Sequence, residues 1–263
     1  MIRISAVSYL NTLPFIYGLQ TSNLVDSICL ELDYPSVCAD KLISGKVDVA
    51  LVPIITIAAL ESSYIVSDYC IGSNGLVDTV CLYSDVPIYE VKNIFLDYQS
   101  RTSVGLLKIL LKEYWKIDPT LKNSFPGFEQ NIGGRDAGLV IGDRAFDLNG
   151  KYKYVYDLSF IWKEMTGLPF VFALWVSTSK LSKEFINDFN NALLKGVLDI
   201  DNSLSYKGIY DYNCENPKEY LENKISYFLD SEKKKGMALF LRKVEANLFS
   251  FLHLLFLLPL HLF

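Results

Sequence analysis

A chain of 263 residues with 51% hydrophobic and 21% charged residues holds enough apolar material for one large packed domain or two smaller ones, which excludes a disordered or fibrous protein. Its net charge of −5 is spread along the chain, and no Lys/Arg run with interleaved aromatics occurs, so no nucleic-acid partner is expected. The five cysteines, Cys29, Cys38, Cys70, Cys81 and Cys214, form no CxxC pair and each sits in an apolar run, which reads as buried free thiols.

The N-terminus, MIRISAVSYL, carries one charge and a short apolar stretch broken by serines, with polar residues following at once. That pattern does not make a secretory signal and predicts a cytoplasmic protein.

Residues 2 to 7 read as a strand, Pro14 to Leu19 as the start of a helix and Ile28 to Leu32 as a second strand. In DYPSVCADKLISGKVDVALVP, Pro35 extends Tyr34, Ser36 caps a helix holding Ala39, Leu42 and Ile43, Gly45 ends it, and KVDVALVP is a buried strand. Strand, helix and strand in this order predict parallel pairing with right-handed crossovers. Strands around Tyr64 to Ile71 and Asp78 to Tyr83 follow, joined by a hairpin turn at Gly72-Ser73-Asn74-Gly75. The pattern restarts with a strand at Asn93 to Leu96, the turn Ser100-Arg101-Thr102-Ser103 and a helix through VGLLKILLKEYWK with an apolar stripe. AGLVIGDRAF repeats strand, polar turn and helix. YDLSFIWKEMTGLPFVFALWVS leads from a helix into a strand, with Trp162 and Trp175 expected in the core, and Lys183 to Val244 is mostly helical.

Two such units in succession, with the chain leaving the first near Ser84 and returning near Trp175, predict an α/β protein of two lobes on a two-stranded hinge: 1–83 with 176–246, and 84–175. Ligands of open α/β sheets gather at the carboxyl ends of the strands, so the polar turns should face one cleft. Ser8, Tyr9 and Asn11 lie in the first such turn, where backbone N–H groups and side-chain donors converge. Ser100, Arg101, Thr102 and Ser103 offer hydroxyls and a guanidinium at a helix start, which suits a carboxylate or phosphate, or equally a plain N-cap beside a surface arginine. In GDRA, Asp143 caps a helix and Arg144 pairs with it. Ser36, Ser73 and Asn74 add donors if their turns face the cleft.

No GxGxxG, Walker loop, nucleophile elbow or metal cluster occurs, and no cofactor or metal is expected. Both histidines, His253 and His261, fall in the final segment, so the body of the chain has no imidazole base. Chemistry there must use carboxylates, tyrosine, lysine, hydroxyls or the substrate's own groups. That final segment, Asn247 to Phe263, is almost all Leu and Phe with Pro259 inside; at 17 residues it is shorter than the roughly 20 of a spanning helix. It reads as an atypical hydrophobic extension or an altered reading frame, with membrane contact as the lesser alternative.

VSYLNTLPF, the Pro35-Ser36 turn with LISGKVDVALVP, DYQSRTSVGLLKILL, GDRA and YDLSFIWKEMTGLPFVFALW together, in order from residue 2 to about 244, resemble the chorismate dehydratases of the futalosine route to menaquinone. The resemblance implies a two-lobed, type 2 periplasmic-binding-protein-like fold used as a cytoplasmic hydro-lyase, converting chorismate to 3-enolpyruvylbenzoate and water. It places the two substrate carboxylates on the Ser100–Ser103 turn and the Tyr9–Asn11 turn, with Asn11 orienting a carboxylate or the departing hydroxyl. Ser8, Tyr9, Ser36, Ser73, Asn74 and Thr102 follow as binding residues. The Leu/Phe tail has no counterpart in that family pattern.

A relative of the same pathway, 1,4-dihydroxy-6-naphthoate synthase, shares the architecture but typically opens with Cys-Pro-Asn-Asp and uses a histidine base, neither of which this chain has. A solute-binding protein for a small anion would share fold and cleft without chemistry.

Overall fold

The computed structural model describes residues 1–60, 62–206 and 213–256, the last ten of these for their backbone alone. β1 (Ile2–Val7) lies between β2 (Ile28–Asp33) and β3 (Val49–Pro53), parallel to both. The connections are helical, with α1 (Leu13–Gln20) after β1 and α2 (Pro35–Ile43) before β3, as parallel pairing requires. Both helices carry proline in the first turn, where the missing N–H costs nothing. Tyr34 occupies the cap position of α2, so Ser36 falls one residue inside it and does not cap.

β4 (Tyr64–Ser73) leads out of this sheet. β5 (Val80–Ser84), β6 (Asn93–Leu96), β7 (Thr120–Asn123), β8 (Asp136–Ile141) and β9 (Tyr154–Asp157) then form a second sheet in the order β7-β6-β8-β5-β9. β6 is parallel to β7 and β8, with α3 (Arg101–Leu110) after β6, and β5 is antiparallel to β8 and β9. β10 (Phe170–Ser177) returns to the first sheet and pairs antiparallel with β3 and β4, and β11 (Ser226–Phe228) completes the order β11-β4-β10-β3-β1-β2.

Two expectations are corrected by this pairing. Val80–Ser84 bonds within the second sheet and Phe170–Ser177 within the first, so the chain crosses earlier than Ser84 and Trp175 on both passes. Gly72 to Gly75 is not a hairpin turn, because β4 and β5 belong to different sheets; residues 74–79 are a crossover. Asp157 ties the two crossovers together. Its carboxylate accepts from the N–H groups of Val77 and Asp78, at 2.8 Å each, and caps α4 (Leu158–Thr166) through Ser159 and Phe160, at 3.0 Å each.

Trp162 and Trp175 are fully buried, as expected. Trp162 meets Phe170 and Phe240 edge-on, and Trp175 meets Phe189. Burying such a side chain contributes roughly 1.5–3 kcal/mol. α1 packs on α5 (Lys183–Leu198) where Gly18 faces Gly196; a Cβ on Gly196 would stand 1.7 Å from the Pro14 carbonyl oxygen, so the helices meet only because both positions lack one. Cys38, Cys70 and Cys81 are buried, but Cys29 is exposed because β2 is an edge strand. The last described helix, Ser231–Phe256, lays Phe240 edge-on against Phe170 of β10. Among the described residues no helix is long and apolar enough to cross a membrane. The reading of the Leu/Phe tail concerns side chains outside the described residues.

Candidate active site

The carboxyl ends of the parallel strands converge on one narrow cleft between the lobes. Val7 at the end of β1 and Pro53 at the end of β3 face it from the first lobe, and Ile141 and Gly142 at the end of β8 from the second. Val77 and Thr79 line it from the crossover.

Of the residues expected there, Tyr9, Asn11, Ser100 and Ser103 line the cleft. Tyr9 is buried, and its hydroxyl reaches across to donate to Gln99 Oε1. The next N–H, that of Leu10, donates to the Asp143 carboxylate at 3.0 Å. Asn11 stands in the helical turn Leu10–Thr12; its Oδ1 accepts from Thr12 Oγ1 at 3.1 Å, and its main-chain carbonyl accepts from the Tyr227 hydroxyl at 3.0 Å. Ser100 caps α3, accepting from the N–H of Ser103 at 3.1 Å while its own hydroxyl donates to Ser103 Oγ at 2.9 Å. The turn is an N-cap beside a surface arginine, and Ser100 and Ser103 also line the cleft.

The remaining expected residues are elsewhere. Ser8 is half-buried and its N–H continues the β1/β2 ladder to Asp33 O. Thr102 is buried and accepts from the N–H of Ile55, holding α3 to the first lobe. Ser36 lies outside the lining, although Pro35 belongs to it. The Ser73 hydroxyl is within bonding distance of the Gly75 and Leu76 carbonyls and shapes the crossover, and exposed Asn74 accepts from Lys163. Arg101 turns outward to Asp40 of α2 at 2.7 Å, an exposed ion pair that bridges the lobes at the rim.

GDRA divides its labour differently from the expected internal pair. Arg144 pairs with Asp97 and Glu129, and Asp143 serves the first lobe through Leu10. Gly142 has φ +65°, and a Cβ there would stand 2.6 Å from the Tyr9 ring, so backbone and ring are in direct contact across the cleft. Sequence reasoning missed Gly142, Thr79, Gln99, Tyr220 and Tyr227. Gly142, in GDRA, and Gln99, in DYQSRTSVGLLKILL, belonged to motifs already singled out.

Burial pushes the Asp143 carboxyl up to about 6, against the lowering pull of the Leu10 N–H. The ordinary value of 3.8 applies when the chain unfolds, so between 3.8 and about 6 the folded state binds more protons and stability falls as pH rises. Asp143→Asn keeps an acceptor for Leu10 and removes the titration. The variant is expected to gain up to about 3 kcal/mol over the parent across that window. Thermal unfolding of both proteins at its two ends checks this; a constant difference contradicts it.

No Lys or Arg side chain lines the cleft among the described residues. Its donors are the Asn11 amide, the serine hydroxyls and the positive end of the α3 dipole, set in walls of Val7, Ile71, Val77, Ile141 and Phe172. An anion held there keeps little water, which raises the proton affinity of any carboxylate it carries.

Comparisons with known proteins bear on the family and the fold. A family model described as menaquinone biosynthesis matches residues 2–246. A chorismate dehydratase from Thermus thermophilus is 31% identical over 159 residues, 51% of this chain and 55% of that protein, so this match spans about half of each. A chorismate dehydratase from Campylobacter jejuni is 25% identical over 91% of this chain and 96% of that protein. Among solved structures, a protein from Archaeoglobus fulgidus superposes with a TM-score of 0.74 at 16% identity, covering 94% of this chain and 97% of that one. A Candida albicans protein described as having the generic periplasmic binding protein fold gives 0.59 at 12% identity, covering 94% and 95%. At these identities the structural likeness shows the fold, a two-lobed periplasmic-binding-protein-like one.

Proposed function

The chain belongs to the menaquinone biosynthesis family, and from that footing we propose that it is a chorismate dehydratase, a hydro-lyase that turns chorismate into 3-enolpyruvylbenzoate and water. The observation that carries the reading is the cleft itself: apolar walls, neutral donors from both lobes and, among the described residues that line it, no imidazole.

Chorismate has two carboxylates. The ring carboxylate fits the α3 N-terminus with the Ser100 and Ser103 hydroxyls, and the enolpyruvyl carboxylate the Tyr9–Asn11 turn of the first lobe. The bond to the proton breaks at the ring carbon bearing the ether, its electrons form the new ring double bond, and the neighbouring hydroxyl leaves. The enolpyruvyl carboxylate takes the proton through a six-membered arrangement of its own atoms, and that proton passes to the departing hydroxyl to complete water. Desolvation in the apolar cleft makes this carboxylate a stronger base, and aromatisation drives the step. Asn11 orients the reacting groups with its amide.

Incubation of chorismate with the purified protein, followed by chromatography with mass detection, tests the reading. An aromatic acid one water lighter is expected; chorismate bound and recovered unchanged would make the protein a binding module. Arg101 stands outside the cleft, so Arg101→Ala removes only a rim pair worth up to about 1 kcal/mol. The Michaelis constant is expected to change by less than about five-fold. A larger increase would put Arg101 on the substrate.

A further inference from the structure

β10 does not run regularly past β4. Val171 lies opposite Gly72 and Ala173 opposite Ile71, so Phe172 is an extra residue between two consecutive partners, a β-bulge. Successive side chains of a regular strand point to opposite faces, yet Phe172 and Ala173 both line the cleft. Of the eight residues of β10, Phe172 alone is not buried. Its ring is held from behind. It meets Phe170 with centroids 4.9 Å apart and planes at 66°, and Phe170 packs edge-on against Trp162 and Phe240, at 5.4 and 5.1 Å. A bulge beside a cleft re-aims a side chain, and here it presents a phenyl ring whose support is already fixed. Among the described residues lining the cleft, the other aromatic side chain is Tyr9, whose ring lies on Gly142 and whose hydroxyl is on Gln99.

We propose that Phe172 is the platform for the substrate's ring: the bulge in β10 turns its phenyl into the cleft, where it packs on the six-membered ring of chorismate and favours that ring as it flattens. The two carboxylates are held by polar groups at the ends of the substrate, and those contacts do not distinguish a puckered ring from a flat one. Chorismate carries its ether and its hydroxyl on two adjacent tetrahedral carbons, so its ring is puckered. Elimination makes both carbons trigonal and the ring planar. A flat phenyl gains contact as the pucker is lost, so its contribution grows toward the transition state and acts on kcat more than on binding. The inference rests on the reading of this cleft as the site of chorismate dehydration.

Binding tests it without turnover. 3-(Carboxymethoxy)benzoate and its saturated cis-cyclohexane counterpart carry the same two carboxylates on a flat and on a puckered ring, and calorimetric titration compares them. The parent is expected to bind the flat ligand tighter by about five-fold or more. Phe172→Leu keeps apolar bulk without a ring face, and should narrow that preference to within about two-fold. Equal affinities in the parent, or a preference that survives in the variant, overturn the inference whether or not the protein is active on chorismate. An equal loss of affinity for both ligands would show a structural role alone and overturn it as well. With chorismate, Phe172→Leu should lower kcat by about five-fold or more with the Michaelis constant within about two-fold, and an unchanged kcat contradicts the part played in flattening the ring. Phe172→Met carries both comparisons if Phe172→Leu does not fold. A parent that shows the ring preference but returns chorismate unchanged would overturn the proposed function and leave Phe172 as the platform of a binding site.

Discussion

Asn11→Ala is expected to lower the turnover of chorismate by about 10²–10³, the usual consequence of removing one oriented donor from a water-poor site. Among the described residues lining the cleft Asn11 is the one carboxamide, and the serines opposite it already share a hydrogen bond in the α3 cap. The fold should tolerate the change, because the Tyr227 hydroxyl binds the Asn11 main-chain carbonyl and the Leu10 N–H remains on Asp143. Steady-state kinetics with thermal unfolding as a control separates the two effects. A variant with near-parental kcat would remove Asn11 from the chemistry.

Gly142→Ala should damage binding and stability together. The new methyl group would sit 2.6–2.8 Å from three ring carbons of Tyr9, at a φ of +65° that already disfavours any side chain. The ring cannot swing clear, since Tyr9 is buried and its hydroxyl is held by Gln99 of the opposite lobe. The lobes must part or the β8 turn must deform. A loss of about 2–4 kcal/mol in stability is expected, with affinity for chorismate reduced by about ten-fold or more. Calorimetric binding and thermal unfolding measure both. Parental affinity would mean that the contact between Tyr9 and Gly142 plays no part in closing the cleft.

The sequence made the architecture legible wherever local signals suffice. The alternation of Ile2–Val7, the prolines that open α1 and α2, the cap at Ser100 and the glycine after Ile43 mark strand, turn and helix through residues only a few positions apart. The rule that ligands meet strand ends then placed Tyr9, Asn11, Ser100 and Ser103 in the cleft. What stayed hidden depends on distant partners. Arg101 looks like an anion ligand until Asp40 is beside it, and Gly72 to Gly75 looks like a hairpin until β5 is found in the other sheet. Tyr227 lies 216 positions from Asn11, and Asp143 lies 133 from Leu10. Buried tyrosines and aspartates of this kind carry no periodic signature, because a hydroxyl or carboxylate finds its partner only after the lobes have formed.

Chorismate bearing deuterium on the ring carbon attached to the enolpyruvyl ether offers the most direct measurement. The proposed dehydration removes that atom, so the aromatic acid should come out free of label, lighter than its precursor by one deuterated water, and turnover should be slowed if the transfer limits the rate. Label retained in the aromatic product, or labelled chorismate recovered intact from a protein that binds it, would contradict the elimination.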